Sequence, residues 1–158
     1  MRCCVVSVAE DRLQELGLEL PQVSTPVANY IPSVRTGNLL YVAGQVPRNA
    51  DGAMITGKVG AEMGVEDAYE AARNCGLFAL AVVKAALGDL DNVVRVVRVM
   101  GLVNATPDFA QQPQVINGFS DLMVAVFGEA GRHARVAYGA GSLPGGAAVE
   151  VESLFEVR

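Results

Sequence analysis

The sequence has 158 residues, of which 51% are hydrophobic and 18% are charged, and this composition fits one globular domain with a sizeable core. The formal net charge is −5, and the 12 Lys and Arg residues are scattered without a basic run, which argues against nucleic acid as a partner. No stretch approaches the roughly 18–20 apolar residues that a membrane-spanning helix needs, so we expect no membrane partner.

Three cysteines and one histidine are the only soft metal ligands of the chain, namely Cys3, Cys4, Cys75 and His133. They form no pair with metal-ligand spacing, and an odd number of cysteines with two adjacent does not predict a disulfide framework. Residues 1–8 are too short an apolar stretch for a signal peptide. We therefore expect a cytoplasmic protein without a metal site, in which His133 is a structural histidine.

The N-terminal part of the chain predicts little regular structure. Residues 9–16 predict a short helix that ends at Gly17, and residues 21–32 predict an extended or looped segment. We expect residues 1–29 to form an extension that packs on a single domain of residues 30–158. Residues 39–46 (LLYVAGQV) predict a strand that is buried on both faces, and residues 54–56 are its candidate return strand in a hairpin.

The middle of the chain predicts two helices that flank a strand. Residues 65–87 repeat apolar side chains at intervals of three and four, which is typical of an amphipathic helix, and Gly88 would end it. Residues 93–103 (VVRVVRVMGLV) predict a second apolar strand. Thr106 and Pro107 resemble a helix cap followed by a first-turn proline, and the helix is most secure from 113 to 127.

The C-terminal part predicts two more strands, at residues 134–138 and 147–157, on either side of the loop 139–146. The last strand alternates apolar residues with Glu150, Glu152 and Glu156. The whole order predicts an α+β fold, with one mixed sheet and two helices packed on one of its faces. Because strands 39–46 and 93–103 are apolar on both sides, the other face needs a cover, which another subunit could supply.

No known catalytic motif accounts for the candidate residues near the predicted strand ends, which are Tyr30, Gly44, Asn117, Arg135 and Glu150. One histidine gives no secure Ser-His-Asp set, and no phosphate-binding or dinucleotide-binding loop is present, so we expect no cofactor. Spacing alone singles out none of the five. Arg135 and Glu150 also fit solvated strand positions, and Tyr30 and Asn117 fit an ordinary loop and helix.

Three stretches nevertheless resemble the signature of the Rid/YjgF/UK114 family. The first is residues 37–47 (GNLLYVAGQVP), and the second is the strand from 92 to 103 with the helix PQVINGFSDLMVAVFG. The third is the most specific, since Ala134-Arg135 is followed at fixed distances by Leu143-Pro144 and then by Val149-Glu150-Val151-Glu152. The similarity runs from about Tyr30 to the last residue, and the chain is similar to a longer branch of the family.

The resemblance implies a chorismate-mutase-like fold and a homotrimer with a ligand pocket at each subunit interface. It also implies a hydrolase that converts reactive 2-imino and 2-enamino acids to 2-keto acids and ammonia. Other members of the family are described as ribonucleases or translation inhibitors.

The resemblance assigns roles to individual residues. Arg135 would grip the carboxylate of the substrate bidentately, and Glu150 would orient or deprotonate the attacking water. Gly44 would let the backbone approach the ligand, and Tyr30 and Asn117 would close the pocket from a neighbouring subunit. The chemistry requires no cofactor, since the substrate is already an activated electrophile.

Two expected pocket positions depart from the family pattern. Ala43 stands where many deaminating members have serine, and Ala137 stands where many have cysteine. Both changes remove polar groups from the expected pocket. They favour an alternative in which the chain binds a small carboxylate, such as a keto acid, as a regulatory module without turnover. Ribonuclease activity is a third interpretation, and the acidic charge balance argues against it.

Overall fold

The computed structural model describes residues 7–23, 25–26 and 28–158. Cys3 and Cys4 lie outside the described residues, as does most of the apolar stretch 1–8. The described residues form three α-helices, α1 (Val8–Glu15), α2 (Val65–Leu87) and α3 (Gln112–Phe127), and five strands, β1 (Ser33–Thr36), β2 (Leu39–Gln45), β3 (Val93–Asn104), β4 (Ala134–Ala140) and β5 (Val149–Val157).

The five strands form one mixed sheet in the order β1-β2-β5-β3-β4. Neighbouring strands are antiparallel except β3 and β4, which are parallel and are connected through α3. Helices α2 and α3 pack side by side on one face of this sheet. The predicted α+β fold, a single mixed sheet with two helices on one face, is confirmed.

Strand β5 lies in the centre of the sheet, between β2 and β3. Its alternate residues Val149, Val151, Phe155 and Val157 are buried beneath the helices, as the alternation predicted. Its glutamates point to the opposite face. We call the surface beneath α2 and α3 the covered face, and the opposite surface the open face.

The open face carries large apolar side chains that no helix covers. Tyr41, Val136 and Tyr138 are 41% to 45% exposed there, and the partly buried Met100 and Leu154 lie between them. The two-sided burial expected for strand 39–46 is therefore absent within one chain, because the side chains of β2 that point away from the helices meet solvent.

Strand β2 forms a hairpin that the sequence did not predict, and the predicted return segment 54–56 is shorter than a strand. Strand β2 pairs with β1, from Ser33 opposite Val42 to Thr36 opposite Leu39, across a turn in which Gly37 has a φ of 60°. The segment 54–56 does return along the chain that follows β2: Met54 forms an antiparallel bridge with Arg48, and the backbone of Ile55 donates to Pro47 at 2.9 Å. The predicted return is therefore present, but as an isolated bridge rather than as a strand of the sheet. At the same place the side chain of Asn74 on α2 accepts a hydrogen bond from the backbone of Arg48 at 2.8 Å.

Both long helices end at glycines, as predicted. Gly88 and Gly128 have φ angles of 80° and 62°, a region that favours residues without a side chain. The proposed helix cap at Thr106 and Pro107 is wrong. The backbone of Thr106 donates to Val59 and the backbone of Phe109 donates to Thr106, so these residues form a turn, and α3 begins at Gln112.

Helices α2 and α3 approach each other closely at Gly118. A Cβ atom at this position would collide with the backbone carbonyl of Tyr69, so only glycine permits the observed distance between the helices. Gly101 of β3 plays a similar part beneath Ile116. The covered face is therefore packed helix backbone against helix backbone at Gly118, and side chain against strand backbone at Gly101.

Helix α1 packs against α3 and places Ala9 and Leu13 in the main core. The side chain of Asp91 accepts hydrogen bonds from the backbone of Val8 and Ala9, at 2.9 and 3.0 Å, and so caps the helix. The division into an extension of residues 1–29 and a domain of residues 30–158 stays a prediction. None of the helices in the described ranges has both the length and the apolar character to cross a membrane.

Candidate functional site

The structure divides the predicted site residues into two groups that lie apart within one chain. The first group contains Arg135, Asn117 and Ala137. Arg135 lies on the edge strand β4 and pairs in register with Val99, whose side chain is fully buried under the helices. Because residues paired across strands point to the same side, Arg135 belongs to the covered face and reaches toward α3.

Three acceptors of α3 hold the guanidinium of Arg135. Its Nη1 donates to Asn117 Oδ1 at 2.9 Å and to Ser120 Oγ at 3.1 Å, and its Nη2 donates to the carbonyl oxygen of Pro113 at 3.4 Å. All three acceptors are uncharged, and no carboxylate lies within 4.0 Å of the guanidinium among the residues that the structure describes. A guanidinium has five N–H donors, so two remain, on Nε and Nη2.

Ala137 lies two residues farther along β4 and also faces the helices, where it packs against the core. Its small side chain leaves the neighbourhood of the arginine without a further polar group on this strand. Asn117 contacts Arg135 within the same chain, rather than from a neighbouring subunit as the resemblance implied.

The second group contains Glu150, Gly44, Ala43 and Tyr30. Glu150 lies on the open face of β5, and its carboxylate occupies the space beside Gly44 that a Cβ atom would need. Tyr30, Ala43 and Gly44 line one small cleft of about 90 Å³ next to Gln45. Tyr30 is exposed, with 56% of its surface accessible.

The carboxyl group of Glu150 sits in an environment that disfavours its ionised form. Partial burial is the main cause, and the nearby negative charge of Glu152 adds to it, so the pKa of Glu150 is raised above its ordinary value. A carboxylate with a raised pKa is a stronger base near neutral pH than an ordinary one.

The two groups cannot form one pocket within a single chain. Arg135 faces the helices, whereas Glu150 faces away from them, and strand β3 lies between their strands. Two strand spacings separate them by about 10 Å across the sheet. Along the strands, Arg135 is level with Val99 and Glu150 is level with Leu102.

Sequence reasoning missed two residues that belong to the surroundings of Arg135, namely Ser120 and His133. Ser120 Oγ lies 2.9 Å from His133 Nε2, and His133 Nδ1 lies 2.6 Å from the carbonyl oxygen of Gly131. His133 is structural in the sense that both ring nitrogens are satisfied, as expected. No signal in the sequence connects Ser120 and His133 with Arg135, because α3 and β4 meet only in the folded chain.

The surroundings of His133 disfavour its charged form. Burial is the largest cause and the positive charge of Arg135 acts in the same direction, so the pKa of His133 is lowered, although the Gly131 carbonyl opposes this. Among the residues that the structure describes, no cluster of three or more His, Cys, Asp or Glu side chains could hold a metal ion.

Comparisons with known proteins agree with the fold and with the signature stretches. The family described as "YjgF/chorismate_mutase-like, putative endoribonuclease" matches residues 10–156. The chain belongs to this family. Its similarity to the YjgF family thus covers α1, both long helices and all five strands.

Individual proteins and solved structures are also similar to this chain. Protein TCP17 of Trypanosoma cruzi is 49% identical over 147 residues, which are 92% of each chain. The crystal structure of Atu1372 from Agrobacterium tumefaciens, described as having unknown function, is 47% identical with a TM-score of 0.88, over 96% of this chain and 94% of that chain. A "putative endoribonuclease" from Shewanella oneidensis MR-1 is 34% identical with a TM-score of 0.91, over 96% and 100%.

Proposed function

We propose that the protein hydrolyses 2-imino or 2-enamino acids to 2-keto acids and ammonia, with Arg135 as the residue that binds the substrate carboxylate. The observation that carries this proposal is the hydrogen bonding of the Arg135 guanidinium. Uncharged acceptors of α3 hold Arg135 in place, and two of its N–H donors stay available. An oriented guanidinium without an internal carboxylate suits the two oxygens of a ligand carboxylate.

The proposed reaction adds one water to the C=N bond. A 2-enamino acid first becomes the 2-imino acid by moving a proton from nitrogen to carbon. The water oxygen then bonds to the imine carbon while one proton of the water passes to the nitrogen. In the resulting carbinolamine the hydroxyl proton moves to the amino group as the C–N bond breaks, which releases ammonia and leaves the keto acid. Glu150 is the proposed general base, since its raised pKa lets it accept the proton of the attacking water near neutral pH. It can pass that proton to the imine nitrogen, and in the second step it can carry the hydroxyl proton of the carbinolamine to the departing amino group.

The separation of the two groups supports a pocket that two subunits share. Arg135 of one copy and Glu150 of another can meet only if copies of the chain pack with the open face of one against the edge strand of the next. The exposed apolar side chains of the open face are suited to such burial. We propose a homotrimer on this ground and from the resemblance to the family.

The activity can be tested with imines that an amino-acid oxidase generates in situ. We expect faster release of keto acid than in buffer alone, and a loss of about a hundredfold or more in kcat/KM for Arg135→Lys, because a lysine cannot bind a carboxylate bidentately. Arg35→Lys, on the edge strand at the other end of the sheet, is the matched control and keeps the activity. Folded protein that accelerates no imine hydrolysis would refute the proposal.

The shared pocket can be tested by mixing two inactive variants. Arg135→Ala and Glu150→Gln are each expected to lose activity. When the two are refolded together, about a quarter of the interfaces in randomly mixed trimers combine an intact arginine with an intact glutamate. Partial recovery of activity supports a site between subunits, and a monomeric mass in light scattering contradicts it.

Two alternative functions predict different experimental results. Because Ala43 and Ala137 remove polar groups from the expected pocket, the chain could bind a keto acid without turnover. Thermal stabilisation by keto acids that depends on Arg135, in the absence of hydrolysis, would select that function. Ribonuclease activity, which the descriptions of relatives suggest, would require RNA cleavage that Arg135→Ala abolishes.

A further inference from the structure

Arg135, Ser120 and His133 form a continuous chain of hydrogen bonds that ends on the backbone. The distances are 3.1 Å from Arg135 Nη1 to Ser120 Oγ, 2.9 Å from Ser120 Oγ to His133 Nε2, and 2.6 Å from His133 Nδ1 to the carbonyl oxygen of Gly131. The chain links the candidate carboxylate-binding residue to the one histidine of the sequence.

The chemistry of the end groups fixes the direction of the two outer hydrogen bonds, and a neutral imidazole then fixes the middle one. A backbone carbonyl only accepts, so Nδ1 of His133 carries a proton and donates it to Gly131. A guanidinium only donates, so Ser120 Oγ accepts from Arg135, and the hydroxyl proton of Ser120 is then free to be donated to Nε2 of His133. Each group is satisfied only when the imidazole is neutral, with its proton on Nδ1.

Protonation of the imidazole would disturb this arrangement at Ser120. A second proton on Nε2 would point at Ser120 Oγ, which would then face two cationic donors, while its own hydroxyl proton would lose its acceptor. Two positive charges would also lie on either side of one oxygen atom, which is unfavourable in a partly buried place.

We propose that His133, acting through Ser120, is a positioning residue for Arg135, and that the site grips a carboxylate more weakly when His133 is protonated. This inference rests on the proposed function of Arg135 as the carboxylate-binding residue. It gives the site a dependence on pH that the ligand does not itself produce, since the carboxylate of a 2-keto acid stays ionised throughout the range in which a histidine titrates.

The other charged groups near His133 take no part in the hydrogen-bond chain from Arg135 to Gly131. Asp121 of α3 and Arg132 of the preceding turn line the same shallow cleft as His133. Arg132 forms a salt bridge with Glu129, with 3.3 Å between Nε and Oε1, and Arg95 of β3 donates to the Arg132 carbonyl. Of the charged groups around it, only Arg135 shifts the pKa of His133.

Nuclear magnetic resonance gives a test that does not depend on the ligand. In untagged protein the imidazole signals come from His133 alone, because the sequence contains no other histidine. We expect the Nδ1–H tautomer at neutral pH and a titration below pH 6.5, the ordinary value, with the Nε–H signal of Arg135 shifting along the same curve. In Ser120→Ala the Arg135 signal should no longer follow His133. An Nε2–H tautomer, or an Arg135 signal that ignores the titration of His133 in the wild type, would overturn the proposal.

Binding of pyruvate and 2-oxobutyrate, followed by calorimetry, tests the consequence for the site. We expect affinity to fall about three- to tenfold as pH drops from about 8 through the titration of His133 that the resonance experiment measures, which corresponds to the net contribution of one hydrogen bond. His133→Leu should bind more weakly than the wild type at about pH 8, and its affinity should show no further fall as pH drops. Ser120→Ala should behave in the same way and is available if the leucine variant does not fold. His133→Gln, whose amide oxygen still accepts from Ser120 but does not titrate, should restore part of the affinity and remove the fall in affinity at low pH.

Failure of the role of His133 and failure of the role of Arg135 give different results in these binding measurements. An affinity in His133→Gln that falls with pH as steeply as in the wild type shows that another group titrates, and it overturns the role of His133. Keto-acid binding that survives in Arg135→Ala overturns Arg135 as the carboxylate-binding residue. The role of His133 in holding Arg135 is then decided by the resonance experiment alone.

Discussion

The covered and open faces of the sheet are built from the same strands but are packed in different ways. Beneath the helices, Phe155 is fully buried, and Gly101 and Gly118 bring backbones and side chains into close contact. On the open face, Tyr41 and Tyr138 are nearly half exposed and Glu150 has an unfavourable environment for its charge. The difference indicates that the covered face stabilises the single chain, whereas the open face is suited to contacts with a ligand or another copy.

The largest expected effect comes from removing a core side chain of the covered face. Phe155→Ala should lower the free energy of unfolding by about 3–5 kcal/mol, because it leaves a cavity under the helices. Glu152→Ala, on the open face of the same strand, should change it by less than about 0.5 kcal/mol. Urea denaturation measures both. Equal effects would show that the two faces contribute alike to the stability of the chain.

The close approach of the helices gives the next largest effect. Gly118→Ala should cost about 1–3 kcal/mol or more, since the added Cβ collides with the rigid backbone of Tyr69 and α2 and α3 must move apart. Gly141→Ala is the matched control, because a Cβ atom there meets nothing within 4 Å and the backbone angle is ordinary. Thermal melts of the two variants are sufficient for the comparison, and an undiminished melting temperature for Gly118→Ala would contradict the packing described.

Glu150, on the open face, tests the comparison with a replacement that should stabilise the chain rather than destabilise it. The pKa of Glu150 is raised in the folded chain, so ionisation of its carboxyl group destabilises the fold. The stability that the protonated group contributes is fully present below the unfolded pKa of about 4.3, and it is lost as pH rises through the folded pKa. Glu150→Gln should therefore stabilise the chain near neutral pH, by less than about 1 kcal/mol because solvent screens a half-exposed group. The gain should vanish in melts at low pH. A destabilised variant at neutral pH would contradict this expectation.

The smallest effect is expected at Ser153, a polar residue on the covered face. Its hydroxyl is buried, and it has no hydrogen-bond partner among the residues that the structure describes. Ser153→Ala should be neutral or stabilising by up to about 1 kcal/mol, since an unsatisfied hydroxyl is removed from the core. A clear loss of stability in urea denaturation would show that the hydroxyl has a partner.

The sequence predicted those elements of the fold that are encoded by patterns of neighbouring residues. Helix α2 was predicted with its observed bounds, because its periodicity and the glycine after it are both encoded within one segment. The alternation of β5 was also readable from neighbouring residues. The pairing of β2 with β1 was missed, because the segment 33–36 carries no clear strand pattern, and the predicted return segment 54–56 pairs only with Pro47 and Arg48 beyond the end of β2.

The site was less predictable than the fold for the same physical reason. The resemblance to the family singled out Arg135, and the structure adds that α3 fixes its orientation through Asn117, Ser120 and Pro113. These contacts join residues 15 to 22 positions apart, on elements whose packing no local pattern specifies. The roles of Arg135 and Glu150 in binding and catalysis stay predictions.

The central position of β5 has a consequence for how the chain is made. Strands β2 and β3 are synthesised first, yet neither pairs with the other, because β5 separates them. Until residues 149–157 have left the ribosome, both strands present unpaired backbone edges that can pair with other chains. We therefore expect folding to finish late in synthesis, and a nascent chain arrested before β5 to need protection from aggregation.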